Sequence, residues 1–255
     1  MDDIKQPRRW AAWMAQLFNT LPCTCTLCKY PSRALLCARC SQSLHWTRRS
    51  CIQCGESLAG VWPYTQPSPL KRCGRCLSTP SSIEQTLFAY DYDGVMVQLI
   101  QQFKFNEALI LSQLLGDMIV NRLKESDIHS PDALVPVPLH PGRLKQRGFN
   151  QSLELARHIG KTLGIPVYKN LLVRTRATPK QSGLDRKARE TNIRGAFNIQ
   201  ISKKMAPLAG KHIAIIDDVI TTGSTTREVA KVLKQADAVR ISVFAVAKTQ
   251  ANERA

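Results

Sequence analysis

From position 83 onward, continuous apolar runs alternate with segments whose apolar residues recur every three or four positions. The runs are TLFAYDY (86–92), ALVPVPL (133–139), LLVRT (171–175), KHIAII (211–216) and VRISVFAVAKT (239–249). Short apolar runs of this kind predict buried strands. Between them, 107–124 (Leu111, Leu114, Leu115, Met118, Ile119), 149–164 and 225–235 carry helical spacing. Such alternation predicts an α/β fold, a mostly parallel sheet flanked by helices. Upstream the pattern differs. Residues 1–22 predict an amphipathic helix through Trp10, Trp13, Met14, Leu17, Phe18 and Leu21. Residues 23–80 have few long apolar segments, and Pro80 marks a boundary. The expected organisation is thus a helix (1–22), a small module (23–80) and an α/β domain (81–255).

Cysteine usage explains how the module could fold. All nine cysteines lie between positions 23 and 76, and eight form C-x-x-C pairs: Cys25/Cys28, Cys37/Cys40, Cys51/Cys54 and Cys73/Cys76. Clustered pairs at this spacing read as zinc sites. Metal coordination supplies the free energy that a small apolar core cannot. The simplest arrangement is sequential, with one four-cysteine site from 25, 28, 37 and 40 and another from 51, 54, 73 and 76; an interleaved pairing is also geometrically open. Four thiolates leave no open position, so both zinc sites are expected to be structural. Cys23 and His45 are left over.

The hydrophobic fraction is 44% and no apolar run has the ~20 residues of a membrane-spanning helix. The N-terminal segment runs into cysteines instead of a cleavage site, so a cytoplasmic protein is expected. The formal net charge is +17. Each zinc held by four thiolates would add about −2, and the chain stays strongly basic, a field that favours polyanions and nucleic acid first. Trp46, Trp62 and Tyr64 could stack bases or simply cover the module.

Against that background, two adjacent acids at the end of a buried strand stand out. IAIIDDVITTGSTTREV places Asp217 and Asp218 after the apolar run, where ligands bind in open parallel sheets. Thr225 and Glu228 have the spacing of a capping box, so a helix is expected to start there. The intervening turn would present backbone N–H groups and the hydroxyls of Thr221, Thr222, Ser224 and Thr225 at a helix N-terminus, which favours anions. Gly223 lets the backbone turn tightly. The acids would repel a phosphate but accept from sugar hydroxyls, or hold a divalent cation. A ligand with a 5′-phosphate and a ribose diol satisfies both halves.

Two basic segments accompany the acids. After ALVPVPL comes a loop with His140, Arg143, Lys145 and Arg147, suited to pyrophosphate. Residues 174–197 carry Arg174, Arg176, Lys180, Arg186, Lys187, Arg189 and Arg194 against two acids, as a mobile lid over an anionic ligand would.

IAIIDDVITTGST resembles the phosphoribosyl pyrophosphate (PRPP) motif of type I phosphoribosyltransferases. With P-L-H-P-x-R-L-x-x-R-G-F-N-Q-S, the RTR-x-T-x-x-Q-x-x-L segment and the cysteine pairs, residues 23–248 resemble the ComF family, which includes the GntX-like proteins. The resemblance implies a phosphoribosyltransferase-type parallel sheet behind a double zinc-ribbon-like module with four cysteines at each zinc. It implies ribose contacts from Asp217 and Asp218, 5′-phosphate contacts from Thr221, Thr222, Gly223, Ser224 and Thr225, and pyrophosphate near Arg143, Lys145 and Arg147, with Mg2+ accompanying PRPP. It also implies a role in DNA uptake or utilisation, with single-stranded DNA and DNA-uptake machinery proteins as partners. Short family members have four such cysteines, and eight here suggest two zincs. The alternative expectation is a nucleobase phosphoribosyltransferase of nucleotide salvage. A PRPP-sensing regulator ranks last because no helix-turn-helix is recognisable.

Overall fold

The computed structural model describes residues 23–47, 49–58, 72–105, 108–176, 191–200 and 208–250. The expected helix at 1–22, the middle of the expected lid, and Trp62 and Tyr64 lie outside them. The chain divides into two compact units, residues 1–44 and 45–255.

In the first unit, β1 (Cys23–Thr24) pairs antiparallel with β2 (Pro31–Ser32), and a short helix α1 (Ala38–Gln42) follows. Its interior is small: Cys25 and Leu36 are its buried hydrophobic side chains among the described residues.

The second unit opens with α2 (Gly74–Ser78) and then forms a four-stranded parallel sheet. Its strands are β3 (Gln85–Asp91), β4 (Ala133–Pro136), β7 (His212–Ile220) and β8 (Arg240–Lys248), in the order β3-β8-β7-β4. Helices α3 (Gly94–Phe105), α4 (Ala108–Lys124), α5 (Pro141–Arg147), α6 (Gln151–Leu163) and α7 (Ser224–Gln235) accompany the sheet, and α4, α6 and α7 pack on it. Cover on both faces explains why the strands read as unbroken apolar runs. β7 is buried from His212 to Ile216, and β8 from Ile241 to Lys248. Leu155, Ala156 and Ile159 of α6, and Val229, Ala230 and Leu233 of α7, turn inward. Each such leucine or isoleucine contributes about 1.5–3 kcal/mol of burial. The pattern above does not single out α3, although Met96, Leu99, Ile100 and Phe103 are its buried residues and carry the 3–4 spacing.

Four expectations change. LLVRT forms β5 (Leu172–Arg174), but it pairs antiparallel with β6 (Phe197–Ile199) outside the main sheet. The basic segment after β4 is a helix, α5, where a loop was expected. His140 Nδ1 accepts the Gly142 N–H at 3.2 Å, Pro141 opens the helix, and Gly148 closes it at φ 80°. β7 runs through both acids to Ile220, beyond the point where β4 stops pairing at Ile216. Finally, the capping box does not form. Gly223 is the N-cap of α7, with φ 74°, and Glu228 Oε1 accepts the Gly195 N–H at 2.7 Å instead.

The outer edge of β3 is occupied. Thr86 donates its N–H to the Ile52 carbonyl at 2.6 Å and its hydroxyl to the Gln53 carbonyl at 2.7 Å. Asp91 donates its N–H to the His45 carbonyl at 2.8 Å. Lys248, only 3% exposed, pairs with Glu56 at 3.4 Å. Trp46 lies beneath the Arg122 guanidinium at 3.4 Å.

Candidate functional site

At the C-terminal end of β7 the chain builds a cavity of about 220 Å³. Asp217 and Asp218 come from the strand; Thr221, Gly223, Ser224 and Thr225 come from the turn and the start of α7. Arg143 and Arg147, one helical turn apart on α5, face the same space. Lys145 falls on another face of that helix and does not line the cavity, nor does Thr222. The Thr222 hydroxyl is instead 2.9 Å from that of Ser224, inside the turn.

Pattern reading missed Lys104, Ser152 and Gln151, which all line the cavity. Lys104, at the end of α3, pairs with Asp218 at 2.9 Å in a largely buried position. Phe103 packs against Phe149, ring centroids 6.0 Å apart, which ties α3 to the corner before α6. Ser152 donates its hydroxyl to Asp217 Oδ1 at 3.1 Å. Gln151 lines the cavity at 2% exposure; its Oε1 accepts from Arg147 at 3.1 Å, and its Nε2 donor has no protein partner. Arg174, expected in the lid, is a buried residue of β5 that also lines the cavity. No spacing rule announces Lys104. The F-N-Q-S string did hold the signal for Gln151 and Ser152, since Asn150 caps α6 through the Ser152 N–H at 3.1 Å and so aims both residues inward.

Charge is concentrated here. Burial of the carboxyl, with the charge of Asp218 adding to it, raises Asp217 from 3.8 to about 7, against the lowering effects of the Asp218 N–H, Ser152 and Lys104. Burial lowers the Arg143 guanidinium, and neighbouring Arg147 lowers it further. Burial lowers Arg174 too, Arg143 adding and Asp217 opposing. Four cations face two acids, an arrangement that suits a ligand with several negative charges and separate hydroxyl donors. The turn adds backbone N–H groups at the positive end of α7.

The cysteines gather sequentially, and the interleaved option drops out. Sulfurs of Cys25, Cys28, Cys37 and Cys40 lie within 4.8 Å of one another, as do those of Cys51, Cys54, Cys73 and Cys76. Tetrahedral zinc with Zn–S bonds of ~2.3 Å sets sulfurs roughly 3.8 Å apart. Cys28 and Cys37 are 3.7 Å apart, and so are Cys54 and Cys73. Backbone donors favour thiolates: Cys37 N–H points at Cys25 Sγ (3.5 Å) and Cys73 N–H at Cys51 Sγ (3.3 Å). At Cys25, burial raises the thiol but the N–H groups of Cys37, Cys28 and Leu27 outweigh it, leaving it at about 6. Both sets therefore fit zinc, and neither has a side-chain position left for substrate. His45, left over in the sequence, sits 3.2 Å from Asp93.

No family model matches the chain. It is 34% identical over 238 residues to the DNA utilization protein YhgH of Escherichia coli, covering 90% of this chain and 99% of that one. It is 30% identical over 217 residues to competence protein F of Haemophilus influenzae, covering 84% and 90% respectively. Among solved structures it is similar to the glutamine PRPP amidotransferase of B. subtilis, with TM-score 0.38 and 20% identity. That match covers 58% of this chain and 30% of the amidotransferase, less than a third of its length.

Proposed function

We propose that this chain, which belongs to the family of DNA utilization protein YhgH and competence protein F, binds PRPP in the cavity at the end of β7 and acts in DNA utilisation. The observation that carries this reading is the convergence of Asp217, Asp218, Thr221, Gly223, Ser224, Thr225, Arg143, Arg147 and Gln151 on one cavity. Amides of the turn would take the 5′-phosphate and the acids the ribose hydroxyls, while Arg143, Arg147 and Arg174 would face the pyrophosphate. Lys145 is left out of that set because of its position on α5. The residues fit a Mg2+–PRPP complex, in which the ion would neutralise part of the pyrophosphate charge. The basic surface and the cysteine centres would engage single-stranded DNA in the cytoplasm, alongside proteins of the uptake machinery.

The test is the melting temperature of zinc-loaded protein titrated with PRPP and Mg2+, since a ligand specific to the folded state raises stability by mass action. Wild type should be stabilised; Asp217→Asn/Asp218→Asn should lose the shift. An unshifted wild type would reject the reading. A control follows from Asp217. An acid raised in the folded state binds more protons there than when unfolded. Its ionisation costs nothing below pH 3.8 and costs stability in full above about 7. Asp217→Asn alone should therefore raise stability by about 1–2 kcal/mol at pH 8 and by less at pH 5. Pyrophosphate release with one nucleobase would extend the reading to catalysis.

A further inference from the structure

The turn that bounds the first cavity also bounds a second. Ile220, Gly223, Ser224 and Thr226 line both, so the turn is the partition between them. The second cavity is larger, about 530 Å³, and its far wall is the cysteine centre of residues 51–76. None of the acids that mark the first cavity reaches it.

Three features define what this space would accept. Pro80, Ile83, Ile193 and Ile220 give it apolar walls, which suit a flat ring. Arg75, Arg194, Arg227 and Lys231 surround it against one acid, Glu228, whose Oε1 accepts the Gly195 N–H and whose Oε2 lies 3.8 Å from Nζ of exposed Lys231, a pairing that a phosphate could replace. The third feature is Gln53. It is 6% exposed, it lines the cavity, and its Oε1 accepts no hydrogen bond. Buried amide oxygens rarely go unpaired, because the lost hydration is not regained. An acceptor in an apolar, cationic pocket selects a ring that carries an N–H donor and an anionic group. PRPP has no such ring, and a bare phosphate would leave both Gln53 and the apolar walls unused.

We propose that the second cavity is a binding site for a free nucleoside monophosphate, its base between Ile83 and Ile193 with an N–H donated to Gln53, and its phosphate on Arg194 and Lys231. Arg227, which lines the second cavity, braces the turn between them: its Nη1 donates to the Thr222 carbonyl at 2.9 Å, and a Cβ on Gly223 would come to 3.0 Å from the same atom. The site goes beyond the reading of the first cavity and stands without it.

The experiment is calorimetric titration of the full-length zinc-loaded protein with AMP, GMP, CMP and UMP, with and without saturating PRPP and Mg2+. At least one nucleotide should bind one per chain in both conditions. Arg194→Glu/Lys231→Glu, which reverses exposed charges and should leave the melting temperature unchanged, should weaken it at least about tenfold. Gln53→Leu should narrow the preference among bases, and Asp217→Asn/Asp218→Asn should leave binding intact. Displacement by PRPP together with loss in the aspartate variant would place the nucleotide in the first cavity and overturn the proposal. So would the absence of binding by any of the four at millimolar concentration. Binding of a short oligonucleotide through Arg194 and Lys231, with no mononucleotide binding, would replace the free nucleotide by a strand. Failure of PRPP to bind would leave the PRPP-free titration fully readable.

Discussion

The two cysteine centres share a local design and differ in what surrounds them. In each, the first cysteine takes a carbonyl five residues on (Cys25 N–H to Tyr30, Cys51 N–H to Glu56, both 2.8 Å). The residue after the first pair is left-handed in both, Lys29 at φ 59° and Gly55 at φ 72°. The second pair opens a short helix in both, with Cys37 and Cys73 as N-caps. The differences lie outward. Tyr30 is 71% exposed, whereas its counterpart Glu56 meets buried Lys248. Lys29 is exposed, whereas a Cβ on Gly55 would approach Phe88 Cε1 to 3.1 Å. One ligand set thus serves two roles: the first centre organises a small unit, and the second is built into the wall of an α/β domain.

The sharpest way to break this comparison is to remove one ligand from each. Cys73→Ser and Cys37→Ser should both lower the zinc content by one per chain. Only Cys73→Ser should collapse the main thermal transition and any PRPP-dependent shift, because a structural zinc centre carries on the order of 10–16 kcal/mol. Equal effects on the main transition would erase the distinction. Next in size is Glu56→Gln, expected to cost about 3 kcal/mol by leaving Lys248 charged and unpaired. Burial already lowers Lys248 below its usual 10.5, and Glu56 opposes that shift. Since the unfolded lysine holds its proton more tightly, the variant's deficit should shrink as pH rises toward 10.5; a flat profile in chemical denaturation would contradict the pairing. Gly55→Lys should cost about 2 kcal/mol, combining left-handed strain with the Phe88 contact, although lysine stands at the matching position of the first centre. Tyr30→Ala should change stability by less than about 0.5 kcal/mol, which the same denaturation series would resolve.

Legibility in the sequence followed distance along the chain. The acids, the turn and the helix start fall between 217 and 225, so their chemistry could be read as one string. The cysteine pairs were equally local, and only their grouping needed coordinates. Lys104 and Arg174 reach the cavity from α3 and β5, and nothing in their own neighbourhoods ties them to Asp218 or Asp217. The helix α5 escaped because three bases and a glycine in seven residues leave no apolar repeat. Its terminal signals, Pro141 and Gly148, were visible. The false capping box shows the opposite error: Glu228 had the right spacing, but the Gly195 N–H on another segment claimed it. Local rules fail where a distant donor offers the better bond.

The contacts along β3 give the second centre a further consequence. QTLFAYD is a strand of high β propensity with a single charge and no proline. At the margin of a sheet such a strand is a template for another copy of itself. Here the carbonyls of His45, Ile52 and Gln53 take that place, and the last two lie between Cys51 and Cys54, whose thiolates would be fixed by a metal. Chelation would therefore uncover an adhesive margin as well as loosen the domain. Its expected signature is concentration-dependent self-association preceding unfolding, in which case zinc at this centre would act as a guard against polymerisation.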